Sequence, residues 1–139
     1  MDLDREPQKM AYAAAEEIRA LNHRSLDIKA FYGEYNIINA APNQVAGMVG
    51  GLYTLLERLP QSIQQASAAL QHIEEQQAIR MANGDDPGEA TSRALRALLD
   101  AKQAIQIAQT HLREASGVMS NMGGHFIDDD ELEDADTAV

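Results

Sequence analysis

The sequence predicts an all-α protein built around one long antiparallel pair of helices. Two apolar stripes with heptad spacing, each about four heptads long, flank a short segment rich in Asn, Gly, Asp and Pro. Aromatic residues are only 4% of the 139 residues, whereas β-sheets usually contain more of them. The predicted architecture is an αα-hairpin with a shorter N-terminal helix packed on it, which makes a partial three-helix bundle.

The first helix is predicted to start at Pro7, because the missing N–H of proline costs nothing at a first helical position. Met10, Ala14, Ile18 and Leu21 follow at spacings of four, four and three residues. This spacing places them on one apolar stripe of a helix of about four turns. Since the stripe covers roughly a third of the hairpin, an uncovered stretch of hairpin is expected.

The second helix is predicted over about residues 43–81, with Pro60 inside it. Proline cannot donate a hydrogen bond to the carbonyl of Leu56 and normally breaks or kinks a helix. Because the heptad phase is the same before and after Pro60, one kinked helix is favoured over two helices that meet there. The stripe consists of Val45, Val49, Leu52, Leu56, Leu59, Ile63, Ala66, Leu70 and Ile73.

The segment after this helix carries stop and start signals. Asn83-Gly84 is predicted to end the helix, since glycine takes the left-handed conformation at little cost. Asp86 is predicted to cap the third helix, with Pro87 at its first position and Glu89 at its third. The two stripes should therefore fold back on each other as helices about 50 Å long.

The third helix repeats the heptad up to Gly123-Gly124. Leu95 and Leu99 widen its stripe near the start, which would seat a third helix or another subunit. The stripe consists of Ala94, Leu98, Ala101, Ile105, Ala108, Leu112, Ala115, Met119 and Met122.

The connector between the first two helices, residues 25–42, contains half of the six aromatic residues. One interpretation is that they pin this connector onto the helix pair. The alternative is an exposed patch that binds a partner. The candidate interaction residues here are Phe31, Tyr32, Tyr35, Ile37 and Ile38.

The net charge of −11 is concentrated at one end of the chain. Residues 128–139 contain seven acidic residues and no base, so residues 1–127 carry only −4. A run of like charges repels itself and usually stays disordered. We expect one helical domain over residues 1–127, an acidic tail over 128–139, and no direct nucleic-acid binding, which needs a basic surface.

The remaining composition predicts a cytoplasmic protein. The charged start of the sequence does not resemble a signal peptide, and no apolar run approaches the roughly 20 residues of a membrane span. The absence of cysteine excludes disulfides, thiolate metal sites and a cysteine nucleophile.

No pattern in the sequence predicts catalysis, a metal site or a cofactor site. The positions three before His23, His72, His111 and His125 hold no glutamate, so the Glu-x-x-His signature of a di-iron bundle is missing. Phosphate loops and nucleophile elbows are missing too. The expectation is a protein that is not an enzyme.

Two short motifs resemble a known group. Ala20-Leu21-Asn22-His23-Arg24-Ser25-Leu26 and Leu55-Leu56-Glu57-Arg58-Leu59-Pro60-Gln61 are similar to segments of small uncharacterised helical proteins of actinobacteria and their relatives, including mobile-element and phage contexts. The resemblance covers most of residues 10–120. It implies a shared helical architecture and no activity, and it gives Asn22, His23 and Pro60 structural roles.

Three functions follow as hypotheses. The first is a non-enzymatic interaction or assembly protein that acts through helical-bundle surfaces, as a homo-oligomer or with a protein partner and without a membrane. The second is an acidic regulator or inhibitor of the antitoxin, anti-restriction or DNA-mimic type, whose tail occupies a basic groove. The third is a phage or plasmid structural component.

Overall fold

A computed structural model of the chain describes residues 1, 3–26 and 41–123. These residues form three α-helices and no strand, which confirms the all-α class. The helices are α1 (Pro7–Ser25), α2 (Ala41–Glu75) and α3 (Pro87–Met119). The chain divides into two compact units, one of Met1–Pro42 with Gly123–Val139 and the other of Asn43–Met122.

Helix α1 begins at Pro7 as predicted. Of the predicted stripe, Met10, Ile18 and Leu21 are half-buried, whereas Ala14 is exposed. At the other end, the hydroxyl of Ser25 donates to the carbonyl of Leu21 over 2.8 Å, which satisfies a backbone acceptor in the last turns of the helix. The packing of α1 on the hairpin stays a prediction.

Helix α2 runs without interruption through Pro60. The prediction of one helix on both sides of this proline is confirmed. Pro60 is one of only two buried residues among those described, the other being Thr91. Burial of the proline ring offsets part of the cost of the hydrogen bond that proline cannot donate.

Helix α2 ends at Glu75, about six residues earlier than predicted. The N–H of Gln77 donates to the carbonyl of Glu74, and the N–H of Ala78 donates to the carbonyl of Ile73. This pair of bonds is a Schellman motif around Gln77, whose φ is +56°. The sequence gives no warning of this stop, because glycine is the usual residue at such a position.

The start of α3 is as predicted. The Asp86 carboxylate accepts a 3.0 Å hydrogen bond from the N–H of Glu89, and Pro87 occupies the first turn. The preceding loop is braced by Asp85, which accepts from the Asn83 amide over 3.0 Å and from the Arg93 guanidinium over 2.9 Å. Gly84, with φ of +80°, lies within this loop and does not end α2.

Helices α2 and α3 pack against each other as the predicted antiparallel hairpin. The Lys102 Nζ donates to the Gln64 Oε1 over 3.1 Å, and the Arg113 Nε donates to the Tyr53 hydroxyl over 3.2 Å. Arg113 lies eleven residues after Lys102 on α3, and Tyr53 lies eleven residues before Gln64 on α2. The register is therefore constant along this length.

The contact stripe of α3, here called the seam, differs from the predicted one in its central part, whereas Ala94 and Ala115 near its ends are half-buried as predicted. Between Leu98 and Leu112 the half-buried residues are Leu98, Lys102, Ile105, Gln109 and Leu112. Ala101 and Ala108 were predicted to lie in the seam, and both are exposed.

The same displacement occurs on α2 beyond Pro60. Ile63 and Leu70 are half-buried as predicted, but Ser67 and Glu74 are half-buried in place of Ala66 and Ile73. A straight α-helix drifts about 20° per heptad against a 3.5-residue repeat. The seam consequently follows a neighbouring row of side chains.

The hairpin has little interior. No side chain among the described residues is fully buried, and the apolar seam residues are half-buried. Two helices can shield only one side of each other, so much apolar surface remains in contact with water. The acidic tail at 128–139 lies outside the described residues.

Candidate functional site

The described residues show no arrangement typical of a catalytic or metal centre. Within residues 1, 3–26 and 41–123, no three His, Asp or Glu side chains are placed to hold a metal ion. His23, His72 and His111 are exposed on separate helices, and His125 lies outside the described ranges. Helical surfaces are therefore the features that this part of the chain offers.

The predicted interaction residues fall into two groups. Phe31, Tyr32, Tyr35, Ile37 and Ile38 all lie outside the described residues. Leu95 is half-buried and lies in the seam row with Leu98, while Leu99 is 41% exposed on a different side of α3. The structure does not bring Leu95 and Leu99 into one exposed patch, and their role in binding stays a prediction.

One side of the hairpin carries the bonds that join its helices. We call this side the polar face and define it by Tyr53, Gln64, Lys102 and Arg113. The guanidinium carbon of Arg113 lies 5.7 Å from the centre of the Tyr53 ring, which is within the range of a cation–π contact. These contacts link α2 to α3 at two levels and fix the register.

The environment of Tyr53 favours its ionised form. Hydrogen bonds from Arg113 first, and from Gln109 second, lower the pKa of the Tyr53 hydroxyl below its ordinary value of about 10. The positive charge of Arg113 acts in the same direction, while burial and Glu57 oppose it. The effect is local to the polar face.

An open cleft of about 810 Å³ lies at the turn. Its lining includes four carboxylates and one cation, namely Glu74, Asp85, Asp86, Glu89 and Arg93. Asp86 caps α3 and Asp85 pairs with Arg93, so two of the carboxylates already have structural tasks. The cleft is therefore a consequence of the hydrogen bonds and the ion pair that shape the turn.

The opposite side of the hairpin has a different character. At 100° per residue, Ala101 and Ala108 lie across the seam from Arg113, and Ala66 and Ile73 lie across it from Gln64. Because the polar-face bonds join one flank of each helix, the two remaining flanks point in a common direction. They form one continuous surface of the hairpin.

This surface is exposed and carries no formal charge. No Asp, Glu, Lys or Arg lies on it, and its only polar side chain is one serine. Its one large apolar member, Ile73, is exposed by 45%. We call it the uncharged face, and it consists of Ser62, Ala66, Ala69 and Ile73 of α2 with Ala97, Ala101, Ala104 and Ala108 of α3.

The sequence pattern placed half of this face in the wrong environment. Ala66, Ile73, Ala101 and Ala108 were predicted to lie in the seam. The sequence nevertheless indicated this face. On both helices, two of every seven positions hold no charged residue, and these positions are separate from those of the seam. When the apolar part of a helix surface is wider than one neighbouring helix can cover, a contact with a second element is indicated.

No family model matches the sequence, and no curated protein or solved structure matches it either. Within the described residues, no helix combines the length and the apolar character that crossing a membrane requires. The resemblance to the actinobacterial group stays a prediction.

Proposed function

We propose that this chain is a non-enzymatic, cytoplasmic interaction or assembly protein that acts through an exposed helical surface. The uncharged face is the surface that binds. The polar face and the turn keep the two helices in register, so that this surface is presented as a fixed shape.

The observation that supports the proposal is the exposure of apolar side chains on one charge-free side. Ile73 is exposed by 45% of its area, and the seven small residues that share this face with it are exposed as well. Solvated helix faces normally carry charges, as the other side of this hairpin does. Contiguous exposed apolar surface usually marks an interaction site.

Photocrosslinking in native cells tests this proposal. A photoreactive phenylalanine analogue is placed at Ala108 on the uncharged face or, as the matched control, at Gln106 two residues earlier and outside that face. Both residues are exposed on the same turn of α3. We expect covalent protein adducts from position 108 and few or none from position 106.

Two results would contradict the proposal. Position 108 could yield no protein adduct, or positions 106 and 108 could yield the same adducts in the same amounts. A protein caught at 108 is identified by mass spectrometry, and another copy of this chain counts as a protein partner.

A second candidate function is supported by the charge distribution. Seven acidic residues and no base lie within residues 128–139, and such a segment can occupy a basic groove on another protein. On this hypothesis the chain is an acidic regulator, and deleting residues 128–139 abolishes partner binding. Full affinity in the truncated chain would exclude it.

A further inference from the structure

We propose that Asn83 is a site of spontaneous covalent modification, where the side-chain amide is lost through a cyclic imide formed with Gly84. The product is aspartate or isoaspartate, and it weakens the turn between α2 and α3. Three observations support this, which are the residue that follows Asn83, the exposure of both residues, and the hydrogen bonds of the Asn83 side chain.

Asn83 precedes a glycine in an exposed part of the turn. It is the only asparagine in the sequence that glycine follows. Both residues are exposed, and a Cβ added at Gly84 would meet no atom within 4 Å. Glycine has no side chain of its own to shield its backbone nitrogen. The nitrogen of Gly84 is therefore open to solvent and unhindered as a nucleophile.

The reaction takes place between these two adjacent residues and is therefore intramolecular. After losing its proton to water or hydroxide, the backbone nitrogen of Gly84 attacks the side-chain carbon Cγ of Asn83 and closes a cyclic imide. The bond between Cγ and Nδ2 breaks, and Nδ2 takes up a proton from water and leaves as ammonia. Water then opens the ring at either of its carbonyl carbons, which gives aspartate or isoaspartate.

The hydrogen bonds of the turn hold the Asn83 side chain in a position that suits this attack. The backbone N–H of Asp85 donates to the Asn83 Oδ1 over 3.1 Å, which folds the side chain towards the backbone that follows it. The same N–H faces the oxygen on which negative charge develops as Cγ becomes tetrahedral. The N–H of Gly84 is only weakly held, since its bond to the Met81 carbonyl is 3.3 Å long.

The conversion removes a hydrogen bond that braces the turn. The Asn83 Nδ2 donates to the Asp85 Oδ2 over 3.0 Å, and Asp85 also pairs with Arg93 of α3 over 2.9 Å. In the aspartate product, a carboxylate oxygen replaces this donor and repels Asp85. In the isoaspartate product, the main chain runs through Cβ and Cγ, so the turn becomes one carbon atom longer. Either product weakens the link between the turn and α3.

Ageing of the chain in mildly alkaline buffer, followed by peptide mass mapping, tests the proposal. Asn121 is the internal control, because it is exposed as Asn83 is but precedes Met122. We expect residue 83 to convert at least about tenfold faster than residue 121, because a side chain shields the backbone nitrogen of Met122. The product at residue 83 should be a mixture of isoaspartate and aspartate, whereas direct hydrolysis of the amide gives aspartate alone.

Variants at residue 83 separate the reaction from its consequence. Asn83→Ser keeps an oxygen that can accept from the N–H of Asp85 but cannot form the imide, so its melting temperature should not fall during ageing. Asn83→Asp reproduces one product and should lower the melting temperature of fresh protein by about 2–5 °C. In an Asp85→Asn background the same change should have no more than about half this effect, because the opposing carboxylate is gone.

Three results for the reaction would overturn the proposal. Residue 83 could stay intact, convert no faster than Asn121, or yield aspartate without isoaspartate. The weakening of the turn is overturned if Asn83→Asp melts at the same temperature as the wild type. It is also overturned if ageing lowers the melting temperatures of Asn83→Ser and the wild type equally.

Discussion

The two long sides of the hairpin differ in what their side chains do. The polar face uses Lys102, Arg113 and their partners to bind α2 to α3. The uncharged face, on the same two helices, exposes Ala66, Ile73 and Ala101. The contacts that specify this helix pair therefore lie on one side of it, and the other side stays exposed.

The seam lies between these sides, and a charge placed in it should have the largest effect. Ile105→Glu replaces a half-buried seam residue with a carboxylate and should lower the free energy of unfolding by about 2–4 kcal/mol. Chemical denaturation of dilute protein measures this loss. Gln103→Glu, on an exposed row, should change it by no more than about 0.5 kcal/mol, and equal losses would contradict the assigned seam.

The end of α2 offers a stabilising change that involves neither face. Gln77 has a φ of +56°, which is strained for a residue with a side chain and relaxed for glycine. Gln77→Gly should therefore stabilise the hairpin by about 0.5–1 kcal/mol in thermal denaturation. Gln76→Gly, one residue earlier and outside the left-handed region, should not stabilise it, and stabilisation by both changes would argue against this helix end.

The polar face should make a smaller, pairwise contribution. Gln64→Ala, Lys102→Met and the double variant form a thermodynamic cycle around the 3.1 Å hydrogen bond. Its coupling energy should be about 0.5–1 kcal/mol, as for a single exposed hydrogen bond. A cycle between Gln64→Ala and Arg113→Met, whose partners lie at different levels, should show almost none.

The smallest expected effect is a pH dependence at Tyr53. The pKa of Tyr53 is lowered in the folded chain by Arg113 and Gln109, so ionisation favours folding. This stabilisation is fully present above the unfolded pKa of about 10 and is lost as the pH falls through the lower folded value. Stability should rise as the pH approaches about 10 in the wild type.

Tyr53→Phe should remove that rise, and Tyr12→Phe on α1 should not. Denaturation midpoints at several alkaline pH values compare the three proteins. An identical pH profile for wild type and Tyr53→Phe would contradict the contact between Tyr53 and Arg113.

Local chemistry made much of the hairpin predictable from the sequence. Asp86 caps α3 as expected. A carboxylate before a helix accepts a hydrogen bond from a free N–H of its first turn, and proline at the first position loses no hydrogen bond. The unbroken heptad phase correctly indicated that α2 continues through Pro60. Leu98, Ile105 and Leu112 lie in the seam as predicted.

The errors arose where local chemistry does not decide the structure. A Schellman stop at Gln77 has no signature, since glutamine is a good helix former. Lys102 and Gln109 lie in the seam row because long side chains can bury their aliphatic stems and keep their polar ends in water. A pattern that counts only apolar residues assigns those places to alanine, and so it missed that Ala101 and Ala108 are exposed.

Thiol reactivity gives the most direct test of which row of α3 packs on α2, because the chain contains no cysteine of its own. Single variants Ala101→Cys and Ile105→Cys are titrated with a maleimide in dilute protein. We predict that position 101, which is exposed, reacts at least about tenfold faster than position 105, which is half-buried in the seam. Equal reactivity of the two thiols would contradict the assigned seam.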